Sequence, residues 1–84
     1  MNATEILAII QICSAAATAL PTIATDVAQA AQAIQALLST SQQQVSAGTI
    51  DAEQHALNLA VAQLATHAVV AKVAAALPLK PHQS

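Results

Sequence analysis

The sequence contains no Phe, Trp, Tyr or Arg, one glycine and one cysteine, and only 7% of its 84 residues are charged. Each shortage excludes something. With Lys72 and Lys80 as the only cations besides histidine, against Glu5, Asp26, Asp51 and Glu53, there is no basic patch for phosphates, so nucleic acid is not an expected partner. A single glycine, Gly48, rules out a glycine-rich phosphate loop. A single cysteine rules out an internal disulfide, and Cys13 is expected to behave as a small buried hydrophobe. Glu5 and no Lys or Arg precede the N-terminal apolar run, so no cleavable secretory signal is expected. Without secretion, the glycosylation pattern Asn2-Ala3-Thr4 carries no meaning.

The titratable side chains are too scattered for chemistry. No two of Cys13, His55, His67 and His82 stand at an i, i+4 metal-ligand spacing. His55 and His67 are 12 residues apart, about 120° round a helix and about 18 Å along it. The expectation is therefore a protein with no catalytic, metal-binding or cofactor-binding residues and no small-molecule substrate. His67 is expected to be partly buried and hydrogen-bonded, and His55 solvated.

What the chain has in quantity is aliphatic carbon: 23 alanines and 23 larger aliphatics, 56% hydrophobic residues in all. Alanine, leucine and glutamine favour helix, and interior glycine and proline are nearly absent. An all-α fold follows: an apolar N-terminal helix, a break at Pro21, then a two-helix hairpin turning at Gly48. Residues 1–77 form one helical unit, with helices at about 3–20, 22–47 and 52–77. Residues 78–84 form an extended tail, in which the PxxP spacing of Pro78 and Pro81 reads as a helix stop. A unit this small with no staple points to burial against other chains or a bilayer.

The faces refine that expectation. In the first helix, Ile6, Ile9, Ile10, Ile12, Cys13, Ala16, Ala17 and Leu20 share one broad side, and Leu7 interrupts the polar stripe opposite. In the second, Ile23, Val27, Ala30, Ile34, Leu37, Ser41 and Val45 make a heptad-like seam reinforced by Ala31 and Leu38. Its far face, Thr25, Gln29, Gln32, Ser39 and Gln43, is polar but uncharged. In the third, Leu57, Val61 and Leu64 lie on one side and Leu59, Val69, Val70, Val73 and Leu77 on the other, so both sides need cover. Asp51-Ala52-Glu53-Gln54 reads as a capping box, and Glu53 and Lys72 complement the helix dipole.

Two functions fit these faces. The first is a structural, self-assembling protein whose interface is drawn from Ile23, Val27, Ile34, Leu37, Leu38, Val45, Leu57, Val61, Leu64, Val70, Val73 and Leu77, with Ile6, Ile9, Ile10, Cys13 and Leu20 as the apolar face of the N-terminal helix. Its partners are copies of itself or a larger assembly. The second is a small membrane protein, holin-like or pore-forming, inserted through the charge-free window Ile6 to Ala24, with Leu59 to Leu77 as a weaker second window.

The apolar N-terminal helix, the proline break, the Ala/Gln-rich helix and the linker Gly48-Thr49-Ile50-Asp51-Ala52-Glu53-Gln54 together resemble small helical bacteriophage proteins, virion-structural or holin-like. The likeness spans most of the chain. Holins of this kind carry a strongly charged C-terminal tail, whereas this chain has only Lys80 and His82 there. The resemblance therefore implies a virion component of the capsid, tail or ejection apparatus, found in the virion or host cytoplasm, with the inner membrane as the alternative. It implies no catalytic residues.

Overall fold

Local sequence signals set where each helix starts and stops. The computed structural model describes residues 2–77, and 84% of them are helical, with no strand among them. Helix α1 (Ala3–Ala17) opens on a complete capping box: Glu5 N–H donates to Asn2 Oδ1 and Asn2 N–H donates to Glu5 Oε1, both at 2.9 Å. It stops at Ala17, earlier than the expected Leu20, because Pro21 has no N–H to give the Ala17 carbonyl and its ring crowds that carbonyl in a continuing helix. Two short turns carry the chain across, with Leu20 N–H on the Ala17 carbonyl at 2.9 Å and Ile23 N–H on the Leu20 carbonyl at 3.0 Å.

Helix α2 (Ala24–Ala47) starts after Ile23, which offers no capping side chain, and so begins two residues later than Thr22. It ends at Gly48, whose φ of 78° is the left-handed conformation that glycine adopts without steric cost. Helix α3 (Ala52–Ala76) is capped by Asp51, whose Oδ1 accepts from Gln54 N–H at 2.8 Å. The return half of the expected capping box is missing. Gln54 Nε2 instead donates to Asn58 Oδ1 at 3.1 Å, one turn along. The last turn of α3 holds no basic residue, which corrects the dipole role expected of Lys72. Lys72 Nζ lies 3.6 Å from Asp26 Oδ2, tying α3 to the start of α2 across an exposed and therefore weak ion pair.

The three helices pack up, down, up. Asp26, Val27 and Ala30 lie beside Ala65, Ala68, Val69 and Lys72, so α2 and α3 form the antiparallel hairpin. The start of α1, at Ala3 and Leu7, lies beside Leu38, Ser39 and Gln42, and its end, at Cys13 and Ala16, beside Val73 and Leu77. At 1.5 Å per residue α1 is about 22 Å long and the hairpin helices about 36 Å. A three-helix body is thus followed by a tip in which α2 and α3 have only each other.

The core of the body takes Ile6, Ile10, Cys13 and Ala17 from α1, Val27, Ala31, Ile34 and Leu38 from α2, and Ala62, Val69 and Val73 from α3. Each large aliphatic fully buried there contributes about 1.5–3 kcal/mol. Thr66, buried among them, satisfies its hydroxyl on the Ala62 carbonyl at 2.7 Å.

Candidate functional site

The structure divides the expected interface residues into two sets. Val27, Ile34, Leu38 and Val73 are buried inside their own chain, and Ile23, Leu37 and Val45 are half-buried. The heptad-like seam of α2 therefore packs within the monomer, and these side chains do not present a surface to a partner. On α1, Ile6, Ile10 and Cys13 are buried and Ile9 and Leu20 half-buried, but Ile12, grouped with them in the sequence, is 69% exposed.

The second set lies outside. Leu57, Val61 and Leu64 are 60%, 55% and 69% exposed, and Val70 and Leu77 stand partly clear of the core. At about 100° per residue, Leu57, Val61, Leu64, Ala68, Ala71 and Ala75 fall in one row along α3, with steps of 4, 3, 4, 3 and 4. All six are exposed. The buried row, Ala62, Thr66, Val69 and Val73, lies about 150° away round the same helix. Helix α3 has two apolar faces, one filled by α1 and α2 and one open.

A groove of about 340 Å³ joins α1 to the far end of α3. It is lined by Ile9, Ile12, Cys13, Ala16, Val70, Val73, Ala74 and Leu77, without a charged group. Cys13 lies at its inner wall, and burial pushes the thiol above its ordinary pKa of 9.0 by withdrawing the thiolate from water. The thiol is therefore held in its protonated, unreactive form.

At the tip of the hairpin the contacts turn polar. Ser41, on the α2 seam and 1% exposed, lies 2.7 Å from His55 Nδ1, and its Oγ accepts from Asn58 Nδ2 at 2.9 Å. With Asn58 donating to the Ser41 oxygen, the Ser41 hydroxyl is free to donate to the ring nitrogen, which joins α2 to α3. The expected roles of the two histidines are exchanged: His55 is half-buried in this cluster, whereas His67 is exposed and has no hydrogen bond among the described residues. A serine hydroxyl on a histidine is also half of a nucleophile–base pair. Here the oxygen is closed off from solvent and held by Asn58, so the arrangement serves as a clasp.

Among the described residues no three His, Cys, Asp or Glu side chains gather where they would hold a metal ion. One described helix, α3, is long and apolar enough to cross a membrane, with a mean hydropathy of 1.5 over its best 18-residue window and 22% of that window buried. The first window, Ile6 to Ala24, is not one helix. Helix α1, which carries its first part, ends at Ala17, and even the whole of α1, about 22 Å, falls short of a hydrocarbon core of about 30 Å. Lys80, His82 and the PxxP tail lie outside the described residues. No family model matches the chain, and no curated protein and no solved structure matches it.

Proposed function

We propose that this is a non-catalytic structural protein that works by helix-to-helix packing, a small component of a bacteriophage virion. The observation that carries the packing role is the open row on α3. Three large aliphatics, each more than half exposed, stand on a chain whose own core is already filled by side chains of all three helices. Exposed aliphatics aligned along one helix mark a surface meant to be covered. The uncharged outer face of α2, at Thr25, Gln29, Gln32, Ser39 and Gln43, suits a protein that lies among other proteins. The virion assignment rests on the sequence resemblance to small phage proteins.

Membrane insertion is the second reading, and it is the apolar length of α3, not the N-terminal window, that favours it. Light scattering of the full chain with and without detergent separates the two. The assembly reading expects detergent-free material as a particle larger than the 8.4 kDa chain. Recovery only from membranes by detergent overturns it in favour of insertion, and an 8.4 kDa monomer in plain buffer at every concentration overturns both.

A further inference from the structure

The open row on α3 is graded along its length, with the large residues Leu57, Val61 and Leu64 in the first half and Ala68, Ala71 and Ala75 in the second. We infer that it is its own complement: two copies of the chain pair through α3 in an antiparallel, two-fold arrangement centred near Thr66. This rests on the assembly reading above and names the partner. In that register each large residue meets a small one, Leu57 opposite Ala75, Val61 opposite Ala71 and Leu64 opposite Ala68. Alternation of large and small across facing positions is what lets two helices interdigitate. The steps of 4 and 3 suit a shallow crossing angle.

Charge selects the same orientation. Asp51 and Glu53 stand at the start of α3 and Lys72 towards its end, with no charged residue between Glu53 and Lys72. Parallel pairing sets Asp51 and Glu53 of the two copies side by side and aligns the helix dipoles, whereas antiparallel pairing separates the acidic ends and opposes the dipoles; Lys72, paired with Asp26 of its own chain, then lies level with Ala60 of the other copy. The outward half of a helix about 37 Å long and about 11 Å across offers about 600 Å² per chain. The pair therefore buries at most about 1,200 Å², the lower edge of stable interfaces, so the dimer is expected to dissociate reversibly on dilution.

The test is sedimentation velocity of the full chain across a concentration series. Ala68→Leu makes the row more apolar yet sets leucine against leucine. Its dimer is expected to dissociate at a concentration at least about tenfold higher than the native one. Leu64→Ala with Ala68→Leu restores the large-to-small match and is expected to return the constant to within about threefold of native. Orientation is read by oxidising a mixture of Leu57→Cys and Ala75→Cys chains, each also carrying Cys13→Ala, where the disulfide joining 57 to 75 should dominate. A native chain that stays monomeric at every concentration overturns this pairing together with the assembly reading. Oligomers that are tightened by Ala68→Leu, or that join 57 to 57, overturn the pairing alone and leave assembly standing. Tighter binding of Ala68→Leu to phosphatidylcholine vesicles, with no dimer in buffer, overturns it in favour of lipid.

Discussion

The inward face of α3 carries Ala62, Thr66, Val69 and Val73, while its outward face leads with Leu57, Val61 and Leu64. By size alone the two faces are sorted nearly backwards, since two of the three leucines of this helix, Leu57 and Leu64, are left in water, and only Leu59 packs half-buried against the core. The difference teaches that burial in this chain is decided by fit. The bulk of the core comes from Ile6 and Ile10 of α1 and Ile34 and Leu38 of α2, and the small inward side chains of α3 leave room for them. The outward leucines answer to a different constraint, one lying outside the monomer.

The contrast can be broken most severely from the inside. Ile10→Ala empties a fully buried site and should lower the free energy of unfolding by about 2–5 kcal/mol, whereas Leu64→Ala on the outside should stay within about 0.5 kcal/mol, both read by urea denaturation at monomeric concentration. Equal effects would abolish the distinction between the faces. A finer version adds volume in place of removing it. Ala62→Leu, at a position with no exposure, should cost about 1–3 kcal/mol of folding, while Ala68→Leu should cost the monomer almost nothing.

The polar tip extends the contrast. Ser41→Ala strips His55 and Asn58 of their shared partner and should cost about 1–3 kcal/mol, with hydrogen-exchange protection lost first around Ser41 to Asn58. The smallest effect belongs to Cys13. Its folded pKa is raised above 9.0, so the native state holds its proton more tightly than the unfolded state does. Stability from this group is complete below about pH 9 and falls as pH rises towards the folded value. The unfolding midpoint should drift downward above pH 9 in the native chain, and Cys13→Ala should flatten that drift.

Much of this fold was legible because its signals are local. Propensity located three helices, Gly48 marked the hairpin turn, Asp51 the cap of α3, and periodicity showed that α3 has two apolar sides. Distant causes were harder to read. Where α1 begins decides which part of the hairpin is two helices thick, and the polar contact of Ser41 with His55 lies in that two-helix part. A faint signal for the clasp was present, a serine on an otherwise apolar seam with His55 and Asn58 one turn apart across the hairpin. The spacing of Asn2 and Glu5 was likewise a complete capping signature beside the glycosylation pattern that shares its first residue. The α2 seam was recognised as a packing surface, but periodicity alone does not distinguish a partner helix in the same chain from one in another.

A surface that is its own complement has a valence of one. Once two α3 rows have closed on each other, neither copy has that row left to offer, so the pairing ends at two and does not propagate. Growth into anything larger must draw on a different surface, and the apolar groove where Ile12 stands exposed between α1 and α3 remains open on each outer flank of such a pair. With the first contact closed at two copies, one further contact, unlike the first, is the minimum needed to extend such pairs into an array.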